Sequence, residues 1–281
     1  TDCGGFQMSR KMFLGKTKNG LHFRCPFDEH KFILTPKKIM EIELALNSDI
    51  AMMLDDMSPH GASFEEAKTA MLNTHRWGSE SLQIHQQLKA QLKSKQLLFG
   101  IVQGNFYPAL REESAKFINS LDFDGIAIGG VAIGEPKDKM YEAVESAIPF
   151  ITENKARYVM GVGSPLELVE LVARGVDCFD SVYPTKMARH GHIFTWNGEL
   201  NIRQKKHNED FTPLDEKCSC STCQNYTKAY LYHLNWIGEP VFYRLVSIHN
   251  LFFINTLMKE CRKAIEEDKF EVFRKKINSI Y

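Results

Sequence analysis

Cys218-x-Cys220-x-x-Cys223 puts three thiols within six residues, close enough to converge on one ion. Zinc takes four soft or borderline ligands in a closed tetrahedral structural site. The fourth must come from elsewhere in the chain. His249, in Ser247-Ile248-His249-Asn250 at an expected helix start, is the best-placed donor. Free surface thiols or a disulfide are the other reading of the cluster, and a capped or core imidazole is the other reading of His249. Cys3, Cys25, Cys178 and Cys261 are dispersed and read as small core residues. A second constellation consists of acids: Asp2, Asp55, Asp56 and Asp180, with Gln103 and the glycine pairs Gly4-Gly5 and Gly129-Gly130. Any one of these aspartates would serve as a helix N-cap or turn residue. Together they suggest a pocket that backbone approaches closely, with carboxylates for covalent or acid–base work.

The elements that must hold these groups are short apolar runs alternating with amphipathic helical stretches. The runs are Asp49–Leu54, Leu97–Val102, Gly125–Gly129, Tyr158–Val162 and Val176–Tyr183. Ser63 with Glu66 makes a capping box, and Ser164-Pro165-x-Glu167 a second with proline at the first helical position. Such alternation implies a parallel sheet with helices outside it. The acids and glycines fall where the runs end, which is the layout of the active face of a (β/α)8 TIM barrel. Five runs are visible where eight are needed, so N-terminal βα units are expected to be missing. Residues 1–200 read as the barrel portion, with an antiparallel β insertion at about 15–36. Residues 201–281 read as a zinc-binding subdomain with C-terminal helices near 224–236, 250–266 and 268–279. Ile193–Leu200 is expected to be a hairpin with an Asn197-Gly198 type I′ turn.

Composition narrows the class. The 281 residues carry 35 basic and 35 acidic side chains, with 43% hydrophobic and 25% charged residues, which argues against disorder. The longest apolar runs fall short of the ~18 residues of a membrane span, and no leader is visible at Thr1, so a cytoplasmic globular protein is expected. Zero net charge leaves room for a local basic face. Lys186–His207 supplies one, with Lys186, Arg189, Arg203 and Lys205 among its cations and Glu199 as its single acid.

Several long motifs occur in one order: Asp2-Cys3-Gly4-Gly5-Phe6-Gln7, Gly100-Ile101-Val102-Gln103-Gly104, Phe123-Asp124-Gly125 through Gly134-Glu135, Arg157 through Gly163, and Phe179-Asp180-Ser181-Val182-Tyr183-Pro184-Thr185-Lys186, before the cysteine cluster. In this the chain resembles the tRNA-guanine transglycosylases (queuine or preQ1 tRNA-ribosyltransferases) of bacterial type over essentially its whole length. The resemblance implies a barrel with a zinc subdomain and exchange of the wobble guanine of a tRNA anticodon loop for a 7-deazaguanine base. It implies Asp180 as nucleophile and Asp2 as general acid/base. Base binding would fall to Asp55, Gln103, Gly130, Val131 and Cys3, with Phe6 and Met160 sandwiching the ring. Lys186, Arg189, Arg203 and Lys205 would contact tRNA, and Cys218, Cys220, Cys223 and His249 would hold structural Zn2+. Tyr226, Tyr230 and His233, at i, i+4 and i+7, would form a homodimer stripe.

Three positions depart from the family pattern. Cys3 stands where Ser is usual, Lys186 where Arg is usual, and Met57 where bacterial members commonly carry Cys. Ile133 is bulky where eukaryotic queuine users have glycine, which favours preQ1 over queuine. A non-catalytic tRNA-binding subunit of the same fold is the competing expectation. It should lack one of the two aspartates, yet Asp2 and Asp180 are both present.

Overall fold

Strand–helix alternation builds a parallel sheet in the computed structural model, which describes residues 1–3 and 12–281. Its strands β4 (Ile50–Met52), β5 (Leu97–Val102), β6 (Gly125–Ile128), β7 (Ala156–Val159) and β8 (Cys178–Phe179) are neighbours in chain order. Gly125 pairs with Phe99 on one side and with Ala156 on the other. The chain is an α/β protein. It forms two compact units: Thr1–Met160 with Arg174–Cys178, and Gly161–Ala173 with Phe179–Tyr281.

In the first unit β5 and β6 are almost continuously buried, as befits strands covered on both faces. Helices α1 (Pro36–Leu46), α2 (Phe64–Leu92), α3 (Pro108–Ser120) and α4 (Lys137–Glu145) alternate with them. Ser63 and Glu66 close the expected capping box on α2, worth about 1 kcal/mol at a helix start. Before the parallel strands, β1 (Phe13–Thr17), β2 (Gly20–Arg24) and β3 (Lys31–Leu34) make a three-stranded antiparallel sheet. Its interior residues are Leu21, Phe23 and Leu34.

The second unit holds α5 (Pro165–Val172), α6 (Tyr183–Arg189), the hairpin β9 (His192–Thr195)–β10 (Gly198–Asn201), and helices α7 (Ser221–Asn225), α8 (Lys228–Trp236), α9 (Val241–Glu266) and α10 (Phe270–Ile280). Residues 201–281 lie wholly within it. Helix α9 is apolar and long enough to cross a membrane by composition alone. Phe242, Leu245, Val246, Phe253 and Leu257 form its buried face, packed with β9, α5 and α8 residues such as Phe194, Val169 and Leu231, while Leu251 and Phe252 on the other side stay exposed.

Four local expectations need correction. The fifth strand spans two residues rather than Val176–Tyr183, because Tyr183 already begins α6. The 193–200 hairpin does not turn through a type I′ Asn197-Gly198 pair. Gly198 pairs with Thr195, so the loop is Trp196-Asn197, and Gly198 alone in the turn has positive φ (105°). The Thr195 hydroxyl fixes that form by accepting from Asn197 N–H at 3.1 Å and donating to Gly198 O at 2.7 Å. The helix expected near 224–236 breaks at Tyr226, since Thr227 caps α8 by accepting from Tyr230 N–H. Finally, α9 begins nine residues before the expected 250, which places His249 inside the helix instead of at its start.

Candidate active site and metal centre

In the first unit, polar groups gather beyond the ends of β4, β5 and β6. Gln103, one residue past β5, donates its side-chain amide to Asp55 Oδ2 at 2.6 Å, and Cys3 Sγ lies 3.7 Å from Asp55 Oδ1. Burial pushes the Asp55 carboxyl up to about 6. The Gln103 amide and Cys3 oppose that shift, while the charges of Asp2 and Asp56 reinforce it. Asp2 itself is exposed. A carboxylate poised near neutrality with further acceptor capacity suits a ligand offering N–H donors.

Asp56, next in the chain, has a different role. It is buried, ion-paired with Lys16, and accepts from Asn73 Nδ2 at 2.9 Å, while its own N–H donates to the Thr74 hydroxyl. That is a structural anchor.

Gly130 shows why backbone must come close. Its φ is +66°, and a Cβ there would sit 2.6 Å from Gln103 Oε1, so a side chain would displace the amide that meets Asp55. The next residues are pinned as well: Glu135 accepts from the Ala132 and Ile133 N–H groups at 2.5 and 2.9 Å. Val131 is buried, Ile133 and Met160 are half-buried, and Phe6 lies outside the described residues.

Beneath these loops lies a residue that the motif reading passed over. Arg111 of α3 is fully buried. It donates to the carbonyls of Asn105 (2.6 Å), Gly129 (2.7 Å), Val102 (3.2 Å) and Gly130 (3.3 Å). Burial lowers its guanidinium to about 10, offset in part by Glu135. Ser114, one turn on, accepts from Gln103 N–H and contacts His75 Nε2, both at 3.1 Å. The signal was present in the sequence. Leu110, Arg111, Ser114, Ala115 and Ile118 share one helical face, and a cation and a hydroxyl on an apolar face demand partners.

In the second unit, Asp180 is exposed just after β8, and its Oδ1 accepts from Gly161 N–H at 3.0 Å. Ser181 donates to the Gly161 carbonyl, also at 3.0 Å, so both polar groups of that glycine brace the Asp180-Ser181 turn. The basic stretch folds with Lys186, Arg189, Arg203 and Lys205 all exposed. Arg203 donates to the Arg189 carbonyl at 3.0 Å.

The thiols of Cys218, Cys220 and Cys223 do meet His249, with all four ligand atoms within 4.8 Å of one another. His249 Nε2 donates to the Phe194 carbonyl at 2.8 Å, which turns Nδ1 toward Cys223 Sγ (3.2 Å) and Cys220 Sγ (3.5 Å). A tetrahedral ion with metal–sulfur near 2.3 Å and metal–nitrogen near 2.0–2.1 Å has an S···N edge of about 3.5 Å. The spacing therefore fits such a metal.

Tyr226 precedes α8 rather than sharing it, yet its ring stacks on Tyr230 at 5.4 Å, while Tyr230 and His233 are exposed.

The family described as queuine tRNA-ribosyltransferase matches residues 1–281. Proteins named queuine tRNA-ribosyltransferase are close in sequence. That of Actinobacillus pleuropneumoniae serotype 3 (strain JL03) is 47% identical over 274 residues, covering 97% of this chain and 71% of the relative. Those of Thermoanaerobacter sp. (strain X514) and Desulforamulus reducens are 45% and 44% identical over 282 residues, covering 100% of this chain and 74% and 75% of the relatives.

Proposed function

The chain belongs to the queuine tRNA-ribosyltransferase family, and from that membership we propose that it is a tRNA-guanine transglycosylase of queuosine biosynthesis. It exchanges guanine at wobble position 34 of GUN-anticodon tRNAs (Asp, Asn, His, Tyr) for preQ1, in the cytoplasm. The parallel sheet is read as part of a (β/α)8 barrel.

The exchange is a double displacement at one carbon. Asp180, held by the Gly161 N–H, attacks ribose C1′. An aspartyl oxygen–C1′ bond forms as the C1′–N9 bond of guanine breaks. Asp2 gives a proton to the departing base and takes one from the incoming 7-deazaguanine, whose nitrogen then displaces the carboxylate. Two inversions restore the original configuration, as in a retaining glycosidase. The base must leave the anticodon stack to react. Asp55 then accepts from its N–H edge, Gln103 and the Gly130 backbone take the carbonyl side, Val131 and Cys3 line the pocket, and Phe6 and Met160 sandwich the ring. Lys186, Arg189, Arg203 and Lys205 bind anticodon-loop phosphates, which makes affinity salt-dependent. Zinc at Cys218, Cys220, Cys223 and His249 supplies rigidity, since the protein fills all four positions. The exposed Tyr230 and His233 with the stacked Tyr226 join two copies in a homodimer.

The observation that carries this reading is the Asp55–Gln103 pair, a carboxylate raised to about 6 with acceptor capacity to spare, beside a positive-φ glycine where a Cβ would push the Gln103 amide aside. Ile133 in the pinned 131–135 loop supports preQ1 by crowding queuine's cyclopentenediol.

Release of radiolabelled guanine from position 34 of a GUN-anticodon tRNA tests it. Release is expected with preQ1 and not with queuine. Release with queuine alone would overturn the choice of base, and none with either would favour a non-catalytic tRNA-binding subunit. Asp180→Asn should lower release by about 10⁴ or more and abolish the tRNA–protein adduct on a denaturing gel.

A further inference from the structure

The turn joining β2 to β3 holds a second convergent set of ligand atoms, remote in sequence from the four-ligand cluster and unconnected with base exchange. We propose that Cys25, Asp28 and His30 form a metal site for a divalent late-transition ion of the zinc type, with water completing its coordination.

The backbone brings the three together. Cys25 N–H donates to His30 O at 2.9 Å and Glu29 N–H to Cys25 O at 3.1 Å. Glu29, at φ 59°, adopts the left-handed conformation that doubles the chain back. The thiol, carboxylate and imidazole ligand atoms consequently lie within 4.8 Å of one another. His30 Nδ1 and Asp28 Oδ1 are hydrogen-bonded at 2.6 Å, a contact that must open to the roughly 3.3 Å edge of a tetrahedral ion before both can coordinate, and the same oxygen accepts the His30 N–H at 3.3 Å. The His30 ring packs 5.4 Å from Phe32, which limits its rotation.

Softness sets the class of ion. One sulfur, one nitrogen and one oxygen suit zinc or cobalt and ill suit magnesium or calcium, which prefer all-oxygen sites. Arg24 and Lys31, paired in register at the base of the turn, oppose a bare cation. The thiolate and carboxylate offset them once Cys25 loses its proton to solvent and its sulfur bonds the metal. Cys25 and His30 also line a cavity of about 710 Å³ together with Glu41 and Lys38, which leaves room for coordinated water. Three protein ligands with an open position distinguish this site from the closed cluster at Cys218.

Titration of the zinc-loaded chain with Co2+ tests the proposal. One further equivalent should bind with a thiolate-to-cobalt charge-transfer band, without release of zinc and without competition from Mg2+. Cys25→Ser should abolish that band. His30→Ala should weaken binding by more than the roughly 10–100-fold that loss of an outer-shell partner costs. Independently, Zn2+ or Co2+ should slow iodoacetamide alkylation of Cys25, read by peptide mass, in the wild type and not in Asp28→Asn. A band that survives Cys25→Ser, or an alkylation rate indifferent to metal, would overturn the site.

Discussion

At Cys218, Cys220, Cys223 and His249 each donor faces another donor, and the ring nitrogen left over is taken by the Phe194 carbonyl. At Asp55 the carboxylate has one amide at 2.6 Å, one thiol at 3.7 Å and two neighbouring carboxylates that raise it. Asp56, one residue away, has the Lys16 ammonium and the Asn73 amide instead. A site that serves structure closes on itself, so a single cation completes the first cluster. A site that serves a visiting molecule keeps acceptor capacity open and bears the electrostatic cost, which is the role proposed above for Asp55.

If the thiol cluster is structural, removing its metal gives the largest effect. Apparent binding energies of order 10 kcal/mol for structural zinc in small peptides set the ceiling. Chelator treatment should lower the melting temperature sharply, and hydrogen exchange should accelerate in α9 and β9, which carry His249 and Phe194, before the parallel strands respond. Cys220→Ser should reproduce this without chelator. An unchanged melting curve would mean that the thiols are satisfied among themselves, and the contrast between the two clusters would fail.

Arg111 tests the other side. Four carbonyls accept from one buried guanidinium. Lysine offers three donors from a single point, so Arg111→Lys leaves carbonyls unpaired and should cost about 2–4 kcal/mol in urea unfolding. Because two of those carbonyls belong to Gly129 and Gly130, KM for the incoming base should rise more than kcat falls. Equal KM values in variant and wild type would reduce Arg111 to a core residue.

These cases show what a sequence makes legible. The thiol cluster could be read because three ligands are local, and strand–helix alternation could be read because its periods are local too. His249 joins the three thiols from mid-helix rather than from the expected helix start, steadied by the neighbouring Asn250, whose buried side chain accepts from Phe194 N–H and donates to Pro184 and His192 carbonyls. Only the family resemblance singles out Asp55; residue type and local spacing do not tell it from Asp56, because the partners that separate them lie 48 and 17 residues along the chain, at Gln103 and Asn73. The Trp196-Asn197 turn was hidden for a similar reason, since the Thr195 hydroxyl outcompetes the Asn-Gly preference for a type I′ turn.

The smallest effect is the most discriminating. The folded Asp55 carboxyl sits near 6, above its ordinary 3.8. A group raised on folding contributes stability that is fully present below its unfolded value and lost as pH rises through the folded one. Asp55 therefore disfavours the folded state at pH 7.5 and not at pH 4. Asp55→Asn keeps an oxygen for the Gln103 amide and removes the charge, so it should stabilise the protein at pH 7.5 by about 1 kcal/mol after discounting for partial exposure, with no gain at pH 4. Base binding should run the opposite way. The ionised carboxylate is the acceptor, so wild-type KM for the base should rise as pH falls through about 6, and the variant should bind poorly at every pH. If Asp55→Asn instead destabilises at pH 7.5, the carboxylate is held by partners as fully as Asp56 is, and it belongs with the structural anchors.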